Sequence, residues 1–175
     1  MEIQKASERE LRLLKHIYLE AFPKAERKPF GIMKHKAGQG VMELLAIREK
    51  GRLLGLAFSV LYRDLVLLDY FAIDQRCRGQ SYGSEALRLL KERYRDQRFV
   101  LEIERPDAHA PNQEERFRRK QFYLKNGMQE TGIYVSVFRV PMELLTDGKP
   151  LTYEEYHQVY EKAVGTFFAR RVMRL

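Results

Sequence analysis

The chain has 175 residues, 45% hydrophobic and 32% charged, which fits one globular domain able to bury a core without disulfide or metal staples. Its single cysteine, Cys77, excludes an internal disulfide and removes any need for an oxidising compartment. The formal net charge of +8 favours anionic partners (nucleic acid, acidic protein or phosphorylated ligand) without choosing among them.

The opening MEIQKASERELRLL is charged and lacks the apolar core of a signal peptide, and no apolar run is long enough to cross a bilayer, so a cytoplasmic protein is expected. Ser7 and Glu10 make an S-x-x-E capping box. Leu11, Leu14, Tyr18, Ala21 and Phe22 then recur at helical spacing until Pro23 stops the run. KAERKPFGIMKHKAGQG is expected as a long basic loop, or a loop with a short helix. VMELLAIRE and LLGLAFSVLY flank KGR and predict a β-hairpin around Gly51. LVLLDYFAI, residues 65–73, is apolar on both faces and reads as a central strand. GSEALRLLKERYRD puts Ala86, Leu87, Leu90 and Tyr94 on one helical face. FVLEIE, residues 99–104, reads as a strand and RPDAHAPN as a loop. QEERFRRKQFYLKNG reads as a helix closed by Asn126-Gly127. TGIYVSVFRV predicts a further strand. The tail MELLTDGKPLTYEEYHQVYEKAVGTFF holds a second capping box, Thr152 and Glu155, and a last helix. The order is helix, three strands, helix, strand, helix, strand, helix, with no repeat or linker. It predicts a single α/β domain over residues 1–175 with a mixed sheet, hairpins first and strand–helix crossovers later.

The junction QRCRGQSYGS, residues 75–84, joins the central strand to a helix. A helix start exposes unpaired N–H groups with partial positive charge, so a phosphate fits there when side chains leave room. Gly79 and Gly83 supply that room, and Arg76 and Arg78 add positive charge. A P-loop is excluded because no lysine follows Gly83, and a dinucleotide fingerprint because Ser81 and Ser84 stand where glycines belong. The stretch can also be read as a plain turn into the helix at Gly79.

RCRGQSYGSEALRLL resembles the acetyl-CoA-binding segment of the GNAT N-acetyltransferases, whose [QR]-x-x-G-x-[GA] motif follows a central strand and opens a helix. Arg78, Ser81 and Gly83 take those places, and Ser81 departs from the usual glycine. FVLEIERPD is similar to the family's next strand, and RKQFYLKNGMQETG to its following helix and turn, with their F-Y-x-x-x-G-[FM] pattern. The resemblance covers about residues 65–140. The tail after Pro141 has no counterpart in it and is open to packing on the same chain or on a second copy, as in a homodimer.

The resemblance implies the GNAT acyl-CoA N-acyltransferase fold and direct transfer of an acetyl group from acetyl-CoA (coenzyme A) to an amine. It implies that the coenzyme's diphosphate lies on Arg78, Gly79, Gln80, Ser81, Tyr82, Gly83 and Ser84, and that backbone N–H groups near Phe71, Ala72 and Ile73 pair with its pantetheine in a gap between two splayed strands. It implies Glu102 as the base, with Asp69 as rival, and Tyr123 as the acid that protonates the leaving thiolate. Glu104 shares a face with Glu102 by strand alternation and joins Phe30, Tyr70 and Tyr134 as candidates for the acceptor site. Each carboxylate can equally be a surface or salt-bridging group, and Tyr123 a core aromatic. Family members often carry an asparagine where this chain has Arg116; Asn112 lies nearby, with no role assigned. Cys77 reads as a bystander, and His16, His35, His109 and His157 lack metal-ligand spacing, so no metal is expected. Arg116, Arg118, Arg119 and Lys120 read as a solvated face or as a contact for the coenzyme's 3′-phosphate or an acidic substrate. The acceptor stays open among small metabolites, aminoglycosides, polyamines and protein N-termini. Two other classes stand beside the enzyme: a non-catalytic acyl-CoA-binding sensor, and a nucleic-acid binder. The second rests on charge alone, without the interleaved aromatics of a stacking surface.

Overall fold

The computed structural model describes residues 1–107 and 109–175; Ala108, in the expected RPDAHAPN loop, lies outside the described residues. The chain forms two compact units, Met1–Leu61 with Leu68–Arg93, and Tyr62–Leu67 with Tyr94–Leu175. The class is α/β with a mixed sheet, as expected.

In the first unit, β1 (Glu2–Lys5) precedes α1 (Glu8–Ala21), a short 3-10 turn (Lys24–Glu26) and α2 (Phe30–Gly38). The hairpin β2 (Met42–Glu49) and β3 (Arg52–Tyr62) leads to β4 (Leu65–Ile73), a 3-10 turn (Gln75–Cys77) and α3 (Tyr82–Arg93). Strands run in the order β1-β2-β3-β4. The α1 capping box is present: Ser7 N donates to Glu10 at 2.8 Å and the Ser7 hydroxyl accepts from Glu10 N. Arg48 of β2 grips the same carboxylate at 2.5 and 2.7 Å. Leu14, Tyr18, Leu45, Ile47, Leu54, Leu56, Phe58 and Leu87 build this unit's core. The expected hairpin turns at Lys50 and Gly51, both left-handed (φ +49° and +76°), the pairing that a type I′ turn requires.

In the second unit, β5 (Arg98–Glu104) is followed by α4 (Gln113–Lys125), β6 (Gln129–Val137), β7 (Val140–Thr146), α5 (Tyr153–Val164), α6 (Thr166–Ala169) and β8 (Val172–Arg174). Strand order is β5-β7-β6-β8, with the pairs β5/β7, β7/β6 and β6/β8 antiparallel. The first residues of β4 belong to this unit, where Arg98 N donates to Asp64 O at 2.7 Å. The chain thus changes units inside β4, between Leu67 and Leu68.

Three strands depart from the expected order: β1, β7 and β8. The tail after Pro141 is not only a helix. It first supplies β7, inserted between β5 and β6, and it ends on β8, whose Val172 pairs with Val137. The tail packs on its own chain: Glu155 of α5 holds Arg98 of β5 at 2.8 Å.

Candidate active site

The site candidates are local structures first. Asp74 caps the 3-10 turn, accepting from Arg76 N at 2.9 Å, and the Arg76 guanidinium returns to the same carboxylate at 2.9 and 2.5 Å. That guanidinium holds Asp74 below the usual carboxylate range, so Arg76 is engaged by Asp74. Cys77 is buried, with Arg52 donating to its sulfur at 3.2 Å. Arg78 is exposed and donates to Ile73 O at 3.2 Å. Gly79 then takes φ +80°, with open space where a Cβ would project, and Ser81 takes φ +60°. α3 begins at Tyr82, and Glu85 N donates to Ser81 O at 3.2 Å. The N–H groups of Tyr82, Gly83 and Ser84 open the first turn, where a helix has no internal acceptor for them. A left-handed residue beside a helix start turns successive N–H groups toward one point and forms an anion nest. The family's glycine at position 81 has a backbone reason here: a left-handed conformation costs a Cβ-bearing residue about 1 kcal/mol.

β4 leads into this junction. Gly55 of β3 lies so close to it that a Cβ would come within 2.2 Å of Ala72 O, so glycine is what lets β4 sit there. Phe71 and Ile73 are half-buried and Ala72 buried. Asp69 has a side chain 2% exposed; one oxygen meets Lys28 Nζ at 2.5 Å, and the other is buried without a hydrogen-bond partner. Lys28 comes from the basic loop between α1 and α2, and its backbone is pinned by two phenols. Its N–H donates to the Tyr70 hydroxyl at 3.0 Å, and its carbonyl accepts from Tyr18 at 3.0 Å. Tyr70 also donates to Glu26 O at 2.8 Å. Burial pushes the Tyr18 phenol up to about 12 and the Tyr70 phenol higher still. Tyr70 is 5% exposed and joins Tyr18, Phe22, Phe30 and Phe58 in an aromatic cluster, so its body packs and its hydroxyl anchors the loop. Phe30 is half-buried in that cluster.

The second unit carries the remaining candidates. Glu102 of β5 stands opposite Leu144 of β7 and accepts a hydrogen bond from the Tyr156 hydroxyl of α5. Glu104 is buried and engaged by cations: Arg116 reaches it at 2.7 Å and Arg119 at 3.3 Å. Arg116 also bonds Asn112 Oδ1 at 2.9 Å and Arg105 O at 3.1 Å. An amine approaching Glu104 has to displace one of these guanidiniums. Tyr123 of α4 is buried, with its ring edge-on to Phe122. Burial pushes its phenol up to about 12, with Arg119 acting in the opposite direction. Tyr134 of β6 is half-buried, its ring under the Arg105 guanidinium at 4.7 Å. The basic stretch is not uniformly solvated. Lys120 bridges Glu130 and the buried Glu143 of β7, lying 2.9 Å from the latter. Burial raises Glu143, with Lys120 opposing, while Lys120 lowers Glu130.

The structure describes every residue that the sequence singled out: the turn at 78–84 precedes α3, Asp69 and Tyr70 lie on β4, and Glu102 and Glu104 lie on β5. The sequence reading missed Lys28, Gly55, Tyr156 and the Lys120–Glu143 pair. Their signal was weak: a lysine among basic residues, a glycine within an apolar run, a tyrosine among three in the tail, and a glutamate taken for tail. Among the described residues, no group of three or more His, Cys, Asp or Glu could hold a metal, and no helix is long and apolar enough to cross a membrane.

Among solved structures, a GNAT-family protein from Bacteroides thetaiotaomicron superposes at TM-score 0.80 with 19% identity, covering 97% of this chain and 99% of that one. The ribosomal-protein-S18-alanine N-acetyltransferase of Escherichia coli superposes at 0.64 with 17% identity, covering 87% and 99%. An aminoglycoside 6′-N-acetyltransferase complexed with coenzyme A superposes at 0.65 with 13% identity, covering 86% and 100%. At these identities the likeness is one of fold. No curated protein sequence matches the chain. The model of the acetyltransferase (GNAT) family matches residues 11–128, and the chain belongs to that family.

Proposed function

We propose that this protein is an N-acetyltransferase that moves the acetyl group of acetyl-CoA directly to a primary amine. The observation that carries the reading is the turn into α3, where left-handed Gly79 and Ser81 precede the free N–H groups of a helix start. That donor set and the open space at Gly79 suit a diphosphate. In this reading residues 78–84 hold the diphosphate, and the backbone of Phe71, Ala72 and Ile73 pairs with the pantetheine. The coenzyme supplies an activated acetyl thioester. Glu102 takes the proton that the acceptor ammonium must lose before its lone pair attacks the carbonyl. As the C–S bond breaks, the Tyr123 hydroxyl gives its proton to the sulfur. A phenol raised to about 12 is fully protonated at neutral pH, so the proton is available there, and its supply fails only as pH rises toward that value. A backbone N–H of β4 facing the developing oxyanion would contribute about 3 kcal/mol. Glu104, Phe30, Tyr70 and Tyr134 belong to the acceptor side, and Asp69 is the rival base. A cytoplasmic setting and a single domain over residues 1–175 complete the reading.

The test combines calorimetry with acetyl-CoA and thiol release in the presence of a polyamine, an aminoglycoside and an alanine-terminated peptide. Heat and thiol release are expected, with release slowed in Tyr123→Phe while coenzyme affinity is kept. Heat without release from any acceptor would leave a non-catalytic acyl-CoA-binding module. No heat at all would sink the reading.

A further inference from the structure

A residue that touches Glu102 comes from outside the family pattern. The match ends at residue 128, and Tyr156 lies on α5, within the tail. Its placement is over-determined. The Thr152–Glu155 capping box starts the helix, Glu155 locks onto Arg98 at the beginning of β5, and Tyr153 donates to Val172 O at 3.0 Å. His157 bonds Ala169 O at 3.1 Å, and β8 ties the chain end to β6. Tyr156 is 1% exposed, with its ring 5.9 Å from that of Tyr160, and its hydroxyl donates to Glu102 Oε2.

We propose that Tyr156 is a positioning residue for acetyl transfer, its hydroxyl fixing the Glu102 carboxylate in one orientation and keeping it ionised while it takes the acceptor's proton. The inference rests on the reading of Glu102 as the base. A hydrogen bond donated to a carboxylate favours the charged form, so its removal moves the proton-uptake midpoint upward. The charged and titratable groups on the elements around Glu102 include Glu104 and Arg98 on β5, Glu155 and His157 on α5, Arg116, Arg119 and Lys120 on α4, and Glu143 on β7. None of these is altered by Tyr156→Phe, which keeps the ring that packs and removes only the donor.

The experiment follows Glu102 by carboxyl carbon-13 NMR in protein saturated with coenzyme A, assigning its signal by its absence in Glu102→Gln. The same variants are assayed for thiol release from acetyl-CoA with the three acceptors, across pH. Tyr156→Phe is expected to raise the NMR midpoint by about half a unit to one unit and to move the acid limb of kcat/KM by the same amount. Well below that limb the rate falls up to about tenfold, and on the plateau it changes little. An unmoved midpoint overturns the inference. So does a midpoint that moves while the acid limb stays, since Tyr156 then touches Glu102 without acting on the reaction. A Glu102→Gln protein with wild-type rate removes Glu102 as the base and Tyr156 with it, while coenzyme binding keeps the acetyltransferase reading distinguishable. A loss of thermal stability alone, with both pH readouts unchanged, marks Tyr156 as structural and also overturns the inference.

Discussion

Each unit of the molecule presents a carboxylate suited to proton transfer, and the two are held differently. Asp69, in the first, is clamped by the Lys28 ammonium at 2.5 Å with both side chains largely buried. Glu102, in the second, receives a hydrogen bond from the phenol of Tyr156. A cation neutralises a carboxylate and fixes it as structure; a neutral donor orients it and leaves its charge in place. Under the proposed function, the contrast corresponds to coenzyme holding and loop anchoring in the first unit and proton work in the second.

The largest expected effect breaks or upholds that division. Glu102→Gln should lower kcat by about 10²- to 10⁴-fold, the usual contribution of a general base, with acetyl-CoA affinity unchanged by calorimetry. Asp69→Asn should leave the chemical step much closer to wild type once folded protein is compared. The reverse ranking, with folded protein in both samples, makes Asp69 the base and removes the distinction.

Stability gives the complementary readout. Breaking a buried pair costs the surviving charge its compensation, and Asp69→Asn takes the Asp69 charge away from the Lys28 ammonium, 11% exposed and over the Tyr70 ring. A loss of about 3–5 kcal/mol in urea unfolding is expected, and Lys28→Met with Asp69→Leu together should restore much of it. A single-variant loss under about 1 kcal/mol would show the pair to be a weak surface-like contact.

Acid should weaken the first unit through a group far from the junction. Arg48, helped by the Ser7 donors and opposed by burial, pulls Glu10 down to about 2. A carboxylate depressed on folding contributes stability that is present above its unfolded value, near 4.5, and is lost as pH falls toward the folded one. The window is therefore about pH 4.5 to 2. With the carboxylate partly exposed, the effect is on the order of 1–2 kcal/mol. Thermal melts of wild type and Glu10→Gln should converge across that window.

What the sequence disclosed follows from how local each signal was. The α1 capping box, the Gly51 hairpin and the Asn126-Gly127 stop are short-range features, and each lies where its spacing put it. β7 was hidden because its hairpin turns on Phe138 and Arg139, both left-handed (φ +48° and +74°), with neither glycine nor asparagine to announce the turn. Pro141, near its start, argues against a central strand on sequence grounds. β1 is short and mostly polar, β8 has only three residues, and both exist through their partners β2 and β6. Lys28 and Tyr156 were illegible for a similar reason. Each makes a contact 41 or 54 residues away in sequence, which no local pattern encodes.

The smallest expected effect tests the coenzyme half of the comparison at one backbone angle. Ser81 holds φ +60°, where glycine is unstrained, serine costs about 1 kcal/mol, and a β-branched side chain costs more. If the N–H groups after it grip the diphosphate, the cost of shaping the cradle enters coenzyme affinity directly. Ser81→Gly removes the Cβ strain but frees the backbone before binding, so the two changes partly cancel and affinity should move by less than about fivefold. Ser81→Val should weaken acetyl-CoA by about tenfold in calorimetry while leaving the urea unfolding of the free protein within about 1 kcal/mol, because residue 81 is exposed. Equal affinities for the serine and valine proteins would mean that the diphosphate does not use this turn, and the division of labour between the units would lose its first half.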